Sequence, residues 1–180
     1  MTPEQILAEP PSALTQDQRE SYFANGYVTV ETLISEAWLE KLTEVTNDFV
    51  AQSRSVAGSD DVFDVAEGHT RDGPRVRRLK MPDKQHAAYW EFATDVIADV
   101  AADLVGPNVV FHHSKLNFKW EAGSDDVKWH QDIQFYPHTN YSPLTIGTYL
   151  ADTEMADGPM MVVPGSHNGP LFDQYDKAGA

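Results

Sequence analysis

The feature that most constrains the fold is a change of periodicity at Gly106-Pro107. Before this pair, apolar residues recur at helical spacing, and after it they alternate as in half-buried strands. Gly and Pro at this point stop a helix. A chain that places its helices first and its strands afterwards is predicted to have an α+β fold, with a helical part over 15–106 and a β part over 109–180.

The ends of two helices can be predicted from local signals. Thr15 and Gln18 form a capping box, and Gly26 allows the left-handed stop of the helix that follows. Ser35 is a predicted cap for a second helix that runs to about Arg54. The second helix has a buried stripe at helical spacing: Trp38, Leu42, Val45 and Phe49.

The remaining segments are predicted more coarsely. A third helix is expected over 84–105, and a mobile loop rich in Gly, Asp and Ser over 55–74. Strands are expected at 27–30, 145–150 and 160–163.

The segment 110–120 is predicted to be a strand with two different faces. The polar face would line a pocket, and the apolar face would pack on the helices. His112 and His113 would then point to opposite sides, so that both could not bind one metal ion. One face carries Phe111, His113, Lys115, Asn117 and Lys119; the other carries His112, Ser114, Leu116, Phe118 and Trp120.

The overall composition excludes several classes of protein. A formal charge of −15 argues against binding to nucleic acids or anionic membranes, which select basic surfaces. The sequence has no cysteine, hence no disulfide, thiolate metal site or thiol nucleophile. No stretch approaches the roughly 20 apolar residues of a membrane span, and a cytoplasmic location is expected. The polar, Pro-rich segment 1–14 is predicted to be flexible, followed by one domain over 15–180.

The motif with the clearest chemistry is Trp-His-Gln-Asp at 129–132. On an extended segment, His130 and Asp132 lie on the same face and can bind one metal from adjacent corners. Imidazole plus carboxylate is the ligand mixture of the 2-His-1-carboxylate site, which leaves positions open on Fe(II). A His-x-Asp pair alone is weak evidence, because two common residues meet often at this spacing.

Other motifs strengthen this interpretation. We call His130 and Asp132 the metal pair. Leu-Asn-x-Lys stands upstream of this pair at 116–119, and Gly-Pro-Met-Met-Val-Val-Pro-Gly-Ser-His stands downstream of it at 158–167. In this order, the three motifs resemble those of the phytanoyl-CoA dioxygenase family, which includes ectoine hydroxylases. The resemblance extends over about residues 15 to 175.

The resemblance implies a double-stranded β-helix, or jelly-roll, core with N-terminal helices packed on it. It implies an enzyme that uses Fe(II), with 2-oxoglutarate as co-substrate and O₂, and in which His130 and Asp132 bind the metal. Asn117 matches a position that hydrogen-bonds the co-substrate in ectoine-hydroxylase-like members. Lys115 matches a co-substrate contact in the phytanoyl branch.

The same resemblance implies two further residues, a distal His and an Arg that binds the far carboxylate of 2-oxoglutarate. Both are expected beyond Ala180, so the chain is predicted to be a fragment with an incomplete jelly roll. Its uncovered strand edges would then favour self-association. His167 is an alternative third ligand, but a His in this turn is expected to stabilise the loop instead.

Three functions are compatible with these residues. The carboxylate of Asp132 favours hydroxylation of a C–H bond in a small molecule, since halogenating relatives carry a small residue there. A non-catalytic jelly-roll binding domain is the alternative if the third ligand is missing altogether. A hydrolytic zinc site is the third, although zinc sites usually recruit more His or a catalytic Glu.

Two groups of residues have both a functional and an ordinary interpretation. The basic cluster is either an anion clamp or a solvated segment that balances Asp60, Asp61, Asp64 and Glu67. The aromatic residues after the metal pair either wall a substrate pocket or belong to the core. The basic cluster consists of Arg71, Arg75, Arg77, Arg78 and Lys80, and the aromatic residues are Phe135, Tyr136 and Tyr141.

Overall fold

Six α-helices and one three-stranded sheet form the regular structure in the computed structural model, which describes residues 1–120, 127–135, 140 and 142–173. Among the described helices, none combines the length and the apolar character that crossing a bilayer requires. The helices are α1 (Pro3–Leu7), α2 (Gln16–Asn25), α3 (Glu36–Ser53), α4 (Pro82–Gln85), α5 (Ala87–Thr94) and α6 (Val96–Val105); the strands are β1 (Phe63–Val65), β2 (Val76–Lys80) and β3 (Lys115–Asn117).

Helices α2 and α3 begin and end where their local signals predict. The hydroxyl of Thr15 accepts the backbone N–H of Gln18, and the side-chain oxygen of Gln18 accepts the backbone N–H of Thr15. Gly26 ends α2 in the left-handed conformation, with φ of 83°. Ser35 caps α3, and Arg54 is its last cap residue. These ends depend only on neighbouring residues, which is why the sequence predicts them correctly.

The single helix predicted over 84–105 is wrong, because the chain forms three helices there. His86 has extended backbone, and its ring accepts the N–H of Ala88, which starts α5. Asp95 leaves helical geometry between α5 and α6, and its carboxylate accepts the indole N–H of Trp38 at 2.8 Å. Trp38 lies 57 residues before Asp95 in the sequence, so a pattern of neighbouring residues could not reveal this second break.

The sheet is antiparallel in the order β1-β2-β3. Helices and this sheet confirm the α+β class, but β1 lies inside the predicted loop 55–74. Of the predicted strand 110–120, only Lys115–Asn117 pairs. Segments 27–30, 145–150 and 160–163 form no strand within the described residues, so these strand predictions are wrong. An alternating pattern favours a strand only where a partner strand lies beside it.

The inner face of the sheet packs on the helices. Val76 and Leu79 of β2 are fully buried and belong to the main hydrophobic cluster. Leu116 of β3 and Phe118, just after this strand, are partly buried and pack against the same cluster. This confirms the apolar face predicted for 116–118, and Lys115 and Asn117 are exposed on the other face. The other buried residues of the cluster are Leu42, Phe49, Phe63, Ala88 and Tyr89.

Two apolar side chains of the first fourteen residues, Ile6 and Leu14, are buried against the rest of the chain. Helix α1 has a capping box at Thr2, and Ile6 is only 5% exposed. Leu14 is 3% exposed and joins Val100 and Leu104 of α6 in a second core cluster. Burial of apolar side chains therefore anchors this segment, which short-range polarity alone does not predict.

A buried carboxylate joins this N-terminal segment to α6. Asp103 is 4% exposed and accepts the backbone N–H groups of Ser12, Ala13 and Leu14 at 2.8–2.9 Å. Arg19, also buried, donates from Nε to the Asp103 carbonyl at 3.1 Å. A buried charge needs such partners, because an unsatisfied one is costly.

The same bonds set the protonation of Asp103. Burial raises the pKa of its carboxyl, but the backbone hydrogen bonds and the charge of Arg19 lower that pKa more, so it lies below its ordinary value. A carboxylate with a lowered pKa stabilises the folded state fully above its unfolded pKa of about 3.9. That contribution is lost as the pH falls through the folded-state pKa.

Replacing Asp103 with Asn is expected to lower the free energy of unfolding at pH 7 by about 2 kcal/mol, since hydrogen bonds to a charged group contribute about 1.5–3 kcal/mol. Urea unfolding followed by circular dichroism measures this difference. Asp99→Asn, on the exposed side of the same helix, is the matched control and should change little. The difference between Asp103→Asn and the parent chain should shrink below about pH 4; a constant difference down to pH 2 contradicts the assignment.

Candidate metal centre

His130 and Asp132 come together at the start of a short 3-10 turn. Asp132 opens the turn Asp132–Phe135, and His130 precedes it on irregular backbone. The Nε2 atom of His130 and the Oδ1 atom of Asp132 are 3.1 Å apart, and each side chain is 37% exposed. Two donors that bind one ion at right angles, each at about 2.1 Å, are also about 3 Å apart. The pair therefore fits two adjacent corners of a metal site.

Neighbouring groups hold both side chains in this geometry. The Nδ1 atom of His130 lies 2.8 Å from the Lys128 carbonyl, which can accept a proton carried on Nδ1 and so fixes the orientation of the ring. Thr145 donates its hydroxyl to Oδ2 of Asp132 at 2.9 Å, which leaves Oδ1 turned to the imidazole. Such second hydrogen bonds orient metal ligands in known sites.

Gln131, between the two candidate ligands, joins this turn to a later segment. Its side-chain amide donates to the Pro170 carbonyl at 3.0 Å and accepts the Phe172 N–H at 2.8 Å. The ring of Phe135 stands edge-on to His130, with centroids 5.6 Å apart, and is itself 47% exposed. Phe135 thus borders the metal pair and is not a core residue.

Asn117 and Lys115 lie two residues apart on the same face of β3, as the alternation predicts, and both are exposed. Across the sheet, Asn117 pairs with Arg78 and Lys115 pairs with Lys80. No direct hydrogen bond between this face and the metal pair occurs among the described residues.

The prediction that His112 and His113 face opposite sides is wrong. Their Nδ1 atoms are 2.6 Å apart, and the rings meet edge-on, because the backbone at 111–114 is irregular rather than extended in a sheet. The pKa of His113 lies below its ordinary value, mainly because of burial and then the charges of His112 and Lys115, against the opposing charges of Asp83 and Asp132.

His167 has the structural role that the sequence favours. It lies in the 3-10 turn Ser166–Asn168, and its Nε2 is 3.1 Å from the Phe23 carbonyl near the end of α2. The N–H of Gly165 donates to the Asn25 carbonyl at 2.8 Å, so the turn is fixed on the C-terminus of α2. Its ring fills the space beside Gly26, where any Cβ atom would overlap it.

Several residues around the site were missed or cannot be placed. Thr145 and the Lys128 carbonyl give no sequence signal, because a hydroxyl and a backbone oxygen recur everywhere. The bond from Arg78 to Asn117 could have been suggested only by the register of two predicted strands. Within the described ranges no three His, Asp or Glu side chains converge on one point. His138, Tyr136 and Tyr141 lie outside the described residues.

Comparison with known proteins identifies the class. The profile of the family described as Phytanoyl-CoA dioxygenase (PhyH) matches residues 22–179, so the chain belongs to this family. This confirms the resemblance carried by the three motifs.

Among individual relatives, a probable alpha-ketoglutarate-dependent hypophosphite dioxygenase of Stutzerimonas stutzeri is 31% identical over 158 residues, 87% of this chain and 55% of the relative. An ectoine dioxygenase of Bordetella parapertussis is 28% identical, over 86% of this chain and 50% of the relative. The peroxisomal phytanoyl-CoA dioxygenase of Rattus norvegicus is 22% identical, over 89% and 49%. The chain spans about half the length of the curated relatives it matches.

Replacing Thr145 with Val should weaken binding of a divalent metal about tenfold, because loss of a second hydrogen bond to a ligand typically costs that much or more. Anaerobic titration with Co(II), followed by its visible absorption, measures the affinity. Thr153→Val removes a hydroxyl that bonds only the nearby Ala151 carbonyl, and it should leave the affinity unchanged. Equal affinities for all three proteins would show that Thr145 does not orient a ligand.

Replacing Gly26 with Ala should lower the free energy of unfolding by more than the roughly 1–2 kcal/mol of a left-handed non-glycine residue, since the new Cβ also overlaps His167. Gly165→Ala is the matched control, because Gly165 has φ of 76° but open space at its Cβ position. Urea unfolding of both variants separates the two costs. If Gly165→Ala destabilises as much as Gly26→Ala, the contact with His167 contributes nothing.

Proposed function

We propose that this chain supplies part of the active site of an Fe(II)- and 2-oxoglutarate-dependent dioxygenase, with His130 and Asp132 as two of the metal ligands. The observation that carries the proposal is the 3.1 Å distance between Nε2 of His130 and Oδ1 of Asp132. A second polar contact orients each of these side chains. Membership of the phytanoyl-CoA dioxygenase family supports it.

The chemistry of the donors fits this metal. One imidazole and one carboxylate are two of the three ligands of the 2-His-1-carboxylate site, and the described residues offer no thiolate. When bound there, Fe(II) would supply the activation of O₂ that couples oxidative decarboxylation of 2-oxoglutarate to oxidation of the substrate. The jelly-roll core belongs to the same proposal and rests on the family.

The residues of this chain would have separate tasks in that reaction. His130 would bind the metal through Nε2 while its Nδ1–H donates to the Lys128 carbonyl. Asp132 brings one negative charge and keeps Oδ1 available while Thr145 occupies Oδ2. Asn117 and Lys115 would contact the co-substrate, as donors suited to a carboxylate.

The substrate would be a small molecule that is hydroxylated at a C–H bond, in the cytoplasm. The names of three relatives refer to hypophosphite, ectoine and phytanoyl-CoA, which are chemically unlike one another. The pocket, and not the fold, therefore determines which molecule is oxidised.

Anaerobic addition of Fe(II) and then 2-oxoglutarate to the 180-residue chain should produce a visible charge-transfer band. Asp132→Ala should abolish the band, because it removes one ligand and the charge that binds the metal. Asp61→Ala removes a carboxylate at an exposed loop position, and it should leave the band intact.

A folded parent chain that gives no band, or a band equally strong in Asp132→Ala, excludes His130 and Asp132 as the iron site of this chain. Circular dichroism of each variant establishes that it is folded before the titration is interpreted.

A further inference from the structure

The outer face of the three-stranded sheet carries a group of polar side chains that we call the basic face. Cross-strand pairing places Arg78 opposite Asn117 and Lys80 opposite Lys115. Asp64 of β1 pairs with Arg78 on the other side. Leu79 and Leu116 point to the opposite, inner face, so the alternation of the strands sets the polar residues side by side.

Most of the predicted basic cluster is already engaged in the fold. Arg77 binds Asp64 through Nε and Nη2 at 3.0 and 2.7 Å. Arg75 donates to the Glu67 carbonyl, and Lys80 donates to the Asp60 carbonyl. The ordinary interpretation of the cluster therefore applies to these three residues. Arg78 differs from them, because its described bond is to Asn117.

The bond between Arg78 and Asn117 determines how the amide is turned. Nε of Arg78 donates to Oδ1 of Asn117 at 2.9 Å. A guanidinium group has donors and no acceptor, so the amide must present its oxygen to Arg78. The NH₂ group of Asn117 is thereby turned away from Arg78, and it forms no hydrogen bond to a described residue.

The basic face offers donors to a ligand and almost no acceptors. The NH₂ of Asn117, the Nη groups of Arg78 and the Nζ of Lys115 make no hydrogen bonds with other described residues, and Lys115 and Asn117 are exposed. Asp64 is the carboxylate on this face, and it is ion-paired with Arg77. Burial raises the pKa of Asp64, but Arg77 and Ser59 lower it more, so it stays ionised and paired.

We propose that Arg78 is a further positioning and binding residue, which turns the amide of Asn117 and, with Lys115, binds a carboxylate or another small oxyanion. Two cations and an amide donor match the lone pairs of such a group. The inference deepens the proposed function, because the anion would be that of the 2-oxo acid or of the substrate oxidised beside it. In this proposal, β2 contributes Arg78, which orients the Asn117 amide and adds a second cation to that of Lys115.

The test measures anion binding to the metal-free 180-residue chain by ¹⁵N NMR. 2-Oxoglutarate and, separately, inorganic phosphate are titrated into the parent chain and into Arg78→Met, Arg78→Lys and Arg71→Met. Arg71→Met removes the same charge from an exposed loop position and is the matched control. Backbone spectra and urea midpoints establish that each variant is folded.

Arg78→Met should weaken binding of at least one anion about tenfold, as expected for the loss of a charge-assisted hydrogen bond, while Arg71→Met changes it less than twofold. Arg78→Lys keeps the charge but loses the planar set of guanidinium N–H donors, so its affinity should lie between those of Arg78→Met and the parent chain. The side-chain amide signals of Asn117 should respond to the anion in the parent chain and in Arg71→Met, and not in Arg78→Met.

The two ions separate the sources of the anion. Weakening for 2-oxoglutarate alone identifies the co-substrate, weakening for phosphate alone identifies a substrate oxyanion, and weakening for both identifies their shared chemistry. The inference is overturned if Arg78→Met and Arg78→Lys bind both ions as tightly as the parent chain, or if neither ion perturbs the Asn117 amide of the parent chain.

This outcome is independent of the iron titration. Anion binding without a charge-transfer band would retain the basic face and reject the iron site. A charge-transfer band together with normal anion binding in both Arg78 variants would retain the iron site and reject the role of Arg78.

Discussion

The burial of Val76 and Leu79 is the constraint on which the sheet and its basic face depend. Both side chains are fully enclosed beneath the sheet, so β2 cannot shift its register without exposing them. The fixed register of β2 then sets Arg78 opposite Asn117 and Lys80 opposite Lys115. The polar arrangement on the outer face is therefore a consequence of apolar packing on the inner face. The indole of Trp120 strengthens it, since it donates to the Val76 carbonyl at 2.7 Å.

The metal pair is held in a different way, by hydrogen bonds to irregular backbone. His130 is oriented by the Lys128 carbonyl, Asp132 by Thr145, and the residue between them by Pro170 and Phe172. Because each of these bonds is partly exposed, none has the protection of a core. A bound cation would hold Nε2 of His130 and Oδ1 of Asp132 through one centre, which agrees with the general coupling of metal binding to local order.

The sequence predicts what depends on neighbouring residues and fails where distant contacts decide. Thr15, Gly26 and Ser35 mark helix ends through bonds to residues three or four positions away, and these predictions are confirmed. The break at Asp95 is accompanied by its bond to Trp38, and no local pattern reveals it. At the site, His-x-Asp spacing predicts that His130 and Asp132 are adjacent, but the role of Thr145 and the bond of Arg78 depend on tertiary structure. The metal-binding roles themselves stay predictions.

The bonds of Asp103 have a consequence for how the chain acquires its structure. Its carboxylate accepts from residues about 90 positions earlier, and Arg19 reaches the carbonyl of the same residue. These bonds can form only after Asp103 has been synthesised, although the N-terminal segment is synthesised first. Until then, residues 12–14 lack the carboxylate that holds them in the folded protein. Removal of residues 1–14 would take away the backbone donors of the Asp103 carboxylate and uncover Val100 and Leu104, on which Leu14 packs.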